Sequence, residues 1–318
     1  MSAISTPSPP TVPSGREPKR RWSRARRREA LQGYLYISPW FLGYLFLIVG
    51  PVLASFYLSF TTYTIISPPV FVGLENYIRA FTNDKLFVKS LGNTLYYVVF
   101  SVPFAITISL LLALLLDQGL RATKVFRTLF FLPSITPVVA SVLLWTWIFQ
   151  PDFGILNYAL SLIGIDGPAW LGSTQWVKPS LILMGLWGTV GGSQMIIFLA
   201  GLQGIPNDLY EVAAIDGAGP FQRFRHVTLP LLTPSIFFNL ILGIIAAFRT
   251  FTAAYIATQG GPAYSSLFFV LYLFFNAFKF MNMGYASAMA WVLLVIVLTL
   301  TAFQFRMSRR WVYYEAGD

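Results

Sequence analysis

The sequence predicts an all-α membrane protein with six transmembrane helices and one protruding cytoplasmic loop helix. The first observation is composition: 56% of the 318 residues are hydrophobic and only 11% are charged, whereas soluble domains carry about 25% charged residues. The second is a set of six apolar stretches that are each long enough to cross a bilayer, which takes roughly 20 residues. The third is the lysine and arginine content, which is concentrated in alternate loops.

The predicted spans follow from these apolar stretches and lie within residues 40–60, 93–116, 129–149, 181–202, 234–257 and 285–303. A further apolar stretch, residues 266–278, has only 13 residues and is short for a span. If it crossed the membrane, the arginine-rich C-terminus would lie outside. We therefore expect an outer-face helix that lies on, or dips into, the membrane interface.

The distribution of charge supports this topology. With six spans and both termini in the cytoplasm, 16 of the 22 basic residues lie inside, five lie outside and Arg249 lies in the fifth span. Eight of the inside residues fall within residues 16–28. We interpret this run as an anchor to anionic headgroups, with binding of RNA or of a specific lipid as the alternative.

The predicted domain organisation has three parts. Residues 1–33 form a disordered basic cytoplasmic tail, because residues 1–15 are rich in serine, threonine and proline. Residues 34–306 form the six-helix transmembrane domain, which includes the protruding loop of residues 206–230. Residues 307–318 form a cytoplasmic C-terminal tail.

The sequence predicts no catalytic or metal centre. There is no cysteine, and His226 is the only histidine. No glycine-rich phosphate loop is present, and His226 has no plausible nucleophile beside it. We therefore expect no cofactor and no ATP hydrolysis on this chain, so that uphill transport would need another subunit.

The loop of residues 206–230 has the pattern of a helix, a glycine turn and a second helix. Pro206 marks the start of the first helix and Gly217 its end, while Pro220 suits the first turn of the second. Leu229–Pro230 is expected to close the second helix. Because the loop separates two strongly apolar stretches, it should protrude into the cytoplasm.

Fixed positions across this loop resemble the EAA loop of permease subunits in bacterial binding-protein-dependent ABC importers. The matching residues are Glu211, Ala213, Ala214, Asp216, Gly217, Phe224, Leu229 and Pro230. Val212 stands where that pattern usually has alanine. Residues 71–77 (FVGLENY) and Gly260-Gly261-Pro262 resemble outer-loop signatures of carbohydrate permeases. The chain thus resembles the sugar importers of the MalF/UgpA-like type (carbohydrate uptake family 1), with the MetI/MalF-like fold of type I importer permeases.

The resemblance implies a set of partners and a location. The EAA helix would couple the chain to a cytoplasmic ATPase dimer, with Glu211 and Asp216 supplying charge or capping and Gly217 the turn. For Asp216, simple helix capping is an equal alternative. A second homologous permease, an extracytoplasmic solute-binding protein and a sugar substrate complete the system in the bacterial inner membrane. ATP would be used by the partner ATPase, and no nucleic acid is involved.

The predicted substrate path rests on polar groups inside the spans, because such groups usually face a cavity or a partner. These are Thr189, Ser193 and Gln194 in the fourth span and Arg249 and Thr250 in the fifth. A charge at mid-membrane costs about 2.5 kcal/mol or more. Arg249 is therefore expected either to contact substrate hydroxyl, carboxylate or phosphate groups or to pair with the partner permease or a backbone carbonyl.

By resemblance, the sugar-contacting positions fall on Thr189, Val190, Ser193, Gly243, Ala246, Ala247 and Thr250. Several of these residues are small or apolar, which argues against maltose-like specificity. Trp145 and Trp147 are interpreted as packing or interface anchors rather than ligands. Asn239 is expected to make a hydrogen bond between helices.

Two alternative functions remain open from the sequence. The same machinery could import glycerol-phosphate or phosphodiester substrates, with Arg249 contacting the phosphate. A secondary transporter would need acidic coupling groups inside the spans, but all twelve acidic residues lie in loops, tails or at span ends. A membrane scaffold is disfavoured by the polar fourth and fifth spans.

Overall fold

The computed structural model describes residues 24–119 and 122–313. Three stretches lie outside the described part: residues 1–23, residues 120–121 and residues 314–318. The first of them holds the first part of the basic run, and the second holds Arg121. The helices are α1 (Arg24–Tyr44), α2 (Gly50–Leu58), α3 (Glu75–Thr82), α4 (Lys85–Leu116), α5 (Thr123–Ile135), α6 (Val138–Ile148), α7 (Ile155–Ser161), α8 (Val177–Thr189), α9 (Ser193–Gln203), α10 (Asn207–Ile215), α11 (Pro220–Arg223), α12 (Leu229–Leu231), α13 (Thr233–Phe248), α14 (Thr252–Ala257), α15 (Phe269–Phe274) and α16 (Met283–Ser308). Three π-helical segments, Leu45–Val49, Phe224–Thr228 and Phe275–Lys279, adjoin α1, α11 and α15.

Residue contacts divide the chain into a unit of residues 1–54 and a unit of residues 55–318. In the first unit, α1 continues through the Leu45–Val49 segment into α2. Helix α1 begins at Arg24, inside the tail that the sequence analysis expected to be disordered up to residue 33. Arginine, alanine, glutamate and leucine are strong helix formers, which explains the earlier start.

The predicted number of spans is confirmed when each bent helix pair counts as one span. Among the described residues, four helices are long and apolar enough to cross a membrane: Leu31–Leu58, Lys85–Leu116, Thr233–Ala257 and Met283–Ser308. Two further spans are bent pairs, α5 with α6 and α8 with α9. Helix α4 starts eight residues before the predicted second span because the Asp84 carboxylate caps its N-terminus.

The third and fourth spans, predicted within residues 129–149 and 181–202, are each broken into two helices. Helices α5 and α6 meet at 96°, and α8 and α9 meet at 51°. The first break falls at Thr136–Pro137, where proline has no N–H to donate and disfavours helical geometry in the residue before it. The second falls at Val190–Gly192, where two consecutive glycines permit non-helical geometry.

The fifth span is also interrupted, between the end of α13 at Phe248 and the start of α14 at Thr252. Arg249 and Thr250 end α13 with backbone N–H bonds of 3.1 and 3.2 Å to Ala246 and Ala247. The breaks in the fourth and fifth spans therefore expose backbone groups within two neighbouring spans.

Helix α4 is the central element of the second unit and contacts α8, α9, α13 and α15. Two clusters of buried apolar side chains lie along it. One is built around Phe87, Phe248 and Phe269. The other is built around Phe198 and Leu232 and adjoins the protruding loop.

The 71–77 motif has a structural role in the described chain. Phe71 belongs to strand β2 (Val70–Phe71), which pairs antiparallel with β1 (Thr61–Thr62). The buried Asn76 amide donates hydrogen bonds of 2.9 Å to the carbonyl oxygens of both Ser59 and Thr61. The motif therefore fastens the outer loop to the residues that follow α2.

The short apolar stretch of residues 266–278 does not lie on a surface as expected; it packs inside the protein. Phe269 and Leu271 are fully buried. The Asn93 amide of α4 donates to the carbonyl of Leu267 at 3.1 Å, and the Phe269 N–H donates to the Thr94 hydroxyl at 2.8 Å. These side chains satisfy backbone groups that a lipid surface would leave unpaired.

Candidate functional site

The protruding loop forms the predicted helix, turn and second helix. Helix α10 follows Pro206 and ends before Asp216. Gly217 has φ +81°, a left-handed conformation that favours glycine. The N–H of Ala218 donates to the Ala213 carbonyl at 2.9 Å, which closes the turn. The loop is thus a defined helix with a fixed C-terminal cap.

The second helix ends at Leu231, one residue after the predicted Leu229–Pro230, but α13 begins only two residues later, at Thr233. Helical geometry runs from Pro220 to Phe248, with Leu232 the one residue outside it. The Phe224–Thr228 segment is π-helical and directly precedes Pro230. This wider turn accommodates a proline that cannot donate a regular helical bond. The loop and the fifth span are therefore one nearly continuous helix.

Helix α10 is fastened to this second helix on one side. The hydroxyl oxygens of Tyr210 and Thr228 are 3.0 Å apart, and Thr228 is buried. Leu232, which is fully buried, joins the second helix to Phe198 of α9. The loop therefore has a rigid base in the transmembrane domain.

The eight predicted coupling residues divide into two groups in space. The exposed group forms the tip of the loop: Glu211, Ala214, Asp216 and Gly217. The half-buried group forms its base: Ala213, Phe224, Leu229 and Pro230. Among the described residues no side-chain hydrogen bond or ion pair involves Glu211 or Asp216. Asp216 is the C-cap residue of α10, and its backbone N–H bonds to the carbonyls of Val212 and Ala214, in keeping with the capping alternative considered from the sequence.

Sequence reasoning missed two exposed apolar residues at the tip. Ile215 is 85% exposed and Phe221 is 72% exposed. Ile215 directly precedes Asp216 and lies one helical turn after Glu211. An exposed apolar patch with an acidic rim is typical of a protein interaction surface. The sequence did carry a signal for this patch, because Ile215 is an apolar residue directly before the Asp216–Gly217 turn.

Two glycines at the break of the fourth span are required by close contacts with α5. A Cβ on Gly191 would lie 1.9 Å from the Phe130 carbonyl oxygen, and one on Gly192 would lie 2.9 Å from the Cβ of Ser134. The Val190 carbonyl, freed by the break, accepts a hydrogen bond from the buried Ser109 hydroxyl at 2.9 Å. Close packing against α5 and a hydrogen bond from α4 thus stabilise this break.

A cavity of about 230 Å³ lies at this break, between α4, α8, α9 and α13. Four of the five predicted substrate-path residues line it: Thr189, Ser193, Gln194 and Thr250. Gly243, Ala246 and Ala247, which the resemblance placed at sugar-contacting positions, line it too. Val190 does not belong to the lining; its carbonyl bonds to Ser109 instead.

The sequence analysis did not include the four lining residues from α4, of which Tyr97 and Ser101 are polar. The Tyr97 hydroxyl lies 2.3 Å from the position that a Cβ on Gly185 would take. Gly185 therefore makes the room for the Tyr97 ring. Nothing in the apolar pattern of the second span marked these residues as facing a cavity, because their orientation depends on helix packing.

Asn239 supplies an unpaired acceptor in the cavity wall. Its side chain is fully buried, and its amide nitrogen lies 3.5 Å from the Gln194 carbonyl. This weak contact is the interhelical hydrogen bond that was expected. Its Oδ1 atom has no partner among the described residues. A buried unpaired polar atom costs about 1–3 kcal/mol, and this oxygen is enclosed by protein rather than open to the cavity.

Arg249 does not line the cavity. Its side chain is exposed, and no described residue pairs with it by a hydrogen bond or an ion pair. It stands at the C-terminal end of α13, where helix carbonyls favour a cation. Of the expected contacts, the internal carbonyl contact is therefore not observed.

The described part of the chain contains no group of three or more histidine, cysteine, aspartate or glutamate side chains that could hold a metal ion. The cavity lining contains hydroxyl and amide groups but no ionisable group other than Tyr97. Such a site can form hydrogen bonds with a neutral polar ligand.

Comparison with known proteins gives consistent relatives over nearly the whole chain. The chain is 45% identical to the probable ABC transporter permease protein YesP of Bacillus subtilis over 93% of this chain and 96% of that protein. It is 34% identical to the trehalose/maltose transport system permease protein MalF of Thermococcus litoralis, over 90% and 97%. It is 35% identical to the sulfoquinovosyl glycerol transport system permease protein SmoG of Agrobacterium fabrum, over 91% and 94%.

A solved structure shares the fold. It is a bacterial ABC transporter involved in the import of the acidic polysaccharide alginate, with a TM-score of 0.80 at 24% identity, covering 90% of this chain and 98% of that one. Residues 105–313, which include most of the cavity lining and the protruding loop, match a family of transport proteins. On these grounds the chain belongs to the family of binding-protein-dependent transport system inner membrane components.

Proposed function

We propose that this chain is the transmembrane permease subunit of an ATP-driven importer. With a second, homologous permease it would form the path for a sugar or oligosaccharide that a solute-binding protein delivers. One observation carries the proposal: the helix from Pro220 to Phe248 joins the exposed loop to the wall of the polar cavity. A movement of the loop would therefore be transmitted through this helix to the cavity wall.

This helix can act as a lever. Its 29 residues correspond to about 40 Å at 1.5 Å per residue. The Tyr210–Thr228 contact ties α10 to it, so that α10 and the fifth span would move together. Closure of an ATPase dimer against the tip of the loop would shift this unit as a rigid body and change access to the cavity.

The cavity favours a neutral, hydroxyl-rich substrate. Ser193, Gln194 and Thr250 offer donors and acceptors for such a substrate. Gly243, Ala246 and Ala247 leave space for a ring. The names of the relatives point in the same direction, since they include permeases for trehalose/maltose and for lactose.

This proposal makes the chain a non-catalytic subunit. ATP would bind to and be hydrolysed by the partner ATPase dimer, and this chain would hold no cofactor. Both termini would lie in the cytoplasm, which places the loop of α10 on the side of the ATPase. Support for this orientation comes from the basic residues, 16 of which would then lie inside.

A second candidate substrate is an anionic sugar or polyol phosphate, and Arg249 favours it. This exposed cation is next to Thr250, which lines the cavity, and it has no protein partner in the described chain. One relative, 35% identical over 77% of this chain, is the sn-glycerol-3-phosphate permease protein UgpA of Yersinia pseudotuberculosis.

Arg249→Gln would lower uptake of glycerol-3-phosphate but not of lactose if the anionic substrate is correct. Equal uptake of glycerol-3-phosphate by both proteins would contradict this candidate.

The test of the importer proposal is co-purification followed by transport. The tagged chain is solubilised gently from its native host, and the proteins that accompany it are identified. We expect an ATPase and a second permease with the wild type, and loss of the ATPase with Glu211→Ala. Asp152→Ala, which removes an exposed acid of the loop between α6 and α7, is the matched control. A chain that purifies alone and transports in liposomes without ATP would show that the importer proposal is wrong.

A further inference from the structure

Arg249 carries a charge within the fifth span, and the described chain gives it no counter-charge. It lies about 12 Å along the span Thr233–Ala257 from the nearer end. Its side chain is exposed and has no hydrogen bond or ion pair with any described residue. None of the acidic residues lies inside a predicted span, and residues 217–314 contain no acid at all. A counter-ion at this depth must therefore come from another molecule.

The end of the preceding helix compensates this charge only in part. Arg249 follows α13, whose C-terminal carbonyl groups favour a cation. This attraction is weaker than the cost of placing a charge in the hydrocarbon core of a membrane. The side chain therefore requires a polar or acidic neighbour and does not suit a surface that faces lipid.

Arg249 lies at the open side of the first cavity. Leu242 and Ala246 line this cavity and are exposed, and Arg249 continues their row on one face of α13 at spacings of four and three residues. Thr189 and Ser193 are also exposed lining residues. Exposed hydroxyl groups together with a cation are unfavourable against lipid, so this mouth of the cavity is a surface for another protein.

A transported substrate does not provide a lasting counter-ion for Arg249. A substrate occupies the cavity for only part of each transport cycle, whereas arginine stays protonated throughout. A carboxylate on a neighbouring subunit compensates the charge in the empty state as well as in the loaded state. The planar guanidinium also matches a carboxylate, with which it forms two parallel hydrogen bonds.

We propose that Arg249 forms an ion pair with an aspartate or glutamate of the second permease at the mouth of the first cavity. This inference rests on the proposed function, which supplies the second permease. It names the contact that holds this subunit over the cavity. Since the pair neutralises Arg249, it also leaves the cavity to a neutral sugar.

A cross-link without a spacer tests this ion pair in the complete importer, purified with both permeases and the ATPase. Arg249→Lys keeps the positive charge and provides an amine, which a membrane-permeant carbodiimide joins to a carboxylate in direct contact. We expect a covalent product of the two permeases, in which mass spectrometry of the peptides places the link at position 249. The wild type shows the background from the native lysines, because a guanidinium does not react.

The stability of the permease pair provides a second measurement. Arg249→Gln should weaken the association of the two permeases about tenfold or more, because it leaves the opposing carboxylate buried and unpaired. Arg249→Lys should retain most of the association. The control is Lys85→Gln, which removes an exposed cation that does not line the cavity. Neutralising the acid that the cross-link identifies should weaken the Arg249→Gln pair little further.

The outcomes separate this inference from the importer proposal. If no second permease accompanies the wild type, the importer proposal falls, and this inference falls with it. If the pair forms but position 249 links to no acid of the second permease, or links to the ATPase instead, this inference alone is wrong. The same holds if Arg249→Gln weakens the pair no more than Lys85→Gln. Loss of glycerol-3-phosphate uptake in Arg249→Gln with an intact pair would assign Arg249 to the substrate and overturn the inference.

Discussion

The Tyr285 hydroxyl donates a hydrogen bond of 2.7 Å to Oδ2 of Asp84, across 201 positions of the chain. Tyr272 donates to the same oxygen at 2.6 Å, while Oδ1 accepts the N–H groups of Leu86 and Phe87. One carboxylate thus joins the start of α4 to α15 and α16. This clamp does not include the loop of residues 206–230, and its stability can be tested separately.

Asp84→Asn should destabilise the protein by about 1–3 kcal/mol, because an amide leaves part of this buried hydrogen-bond set unpaired. Burial raises the pKa of Asp84, but the hydrogen bonds from the two tyrosines and the α4 backbone outweigh it and hold the pKa below its usual value. Asp84 therefore stabilises the fold fully above its unfolded pKa of about 3.9 and loses this effect as the pH falls through its folded pKa.

The difference in Tm between wild type and Asp84→Asn, measured in detergent, should accordingly be large at pH 7 and should shrink as the pH falls below about 4. Asp152→Asn serves as the control, since Asp152 is exposed. A difference that stays constant over this pH range would show that the charge of Asp84 does not contribute.

Gly191→Ala should prevent correct packing of the fourth span. Its Cβ would lie 1.9 Å from the Phe130 carbonyl oxygen, a backbone atom that cannot move away without displacing α5. We expect a loss of about 1–3 kcal/mol or more, as in overpacked cores, seen as low yield and low Tm. Gly92→Ala on α4 is the control, because a Cβ there has no atom within 4 Å. Equal Tm values for the two variants would contradict the close approach of α5 to this break.

Gly217→Ala tests the turn at the tip of the loop. Gly217 has φ +81°, so alanine should cost about 1–2 kcal/mol of local strain and loosen the end of α10. The expected result is a fall in sugar uptake per ATP hydrolysed, with Tm nearly unchanged. Gly219→Ala should keep wild-type coupling, because Gly219 has an ordinary φ of −70° and its N–H bond to Gln222 is retained.

Asn239→Leu tests the first cavity. Removing a buried unpaired oxygen should leave Tm unchanged or slightly raised. The KM for the transported sugar should stay unchanged, because this oxygen is enclosed by protein and is not open to the cavity. Phe238→Leu, an exposed neighbour that does not line the cavity, should leave KM unaltered. A lower Tm with an unchanged KM would instead indicate that Asn239 only joins helices.

Much of the architecture could be predicted from local features. The loop of residues 206–230 carries its turn signals in Gly217 and Pro220, and glycine and proline act through their own backbone geometry. Residues 266–278 were predicted less well. Their length correctly excluded a span, but their burial depends on Asn93 and Thr94, which lie more than 170 positions away.

The candidate site, too, could be predicted from the sequence only in part. Thr189, Ser193, Gln194 and Thr250 were identified because polar groups are conspicuous in apolar spans, and all four line the first cavity. Arg249 was equally conspicuous but faces outward. Trp145 was interpreted as packing, and its ring does pack on Phe149 and Trp187.

Composition, span length and the basic residues by themselves determined a six-span membrane protein with a protruding loop, because the bilayer imposes these features on any sequence that crosses it. The tertiary structure alone decided where the spans break, which polar groups share a cavity and which remain unpaired. Those properties arise from contacts between distant segments, such as Gly191 against Phe130. Such contacts leave no periodic signal in either segment.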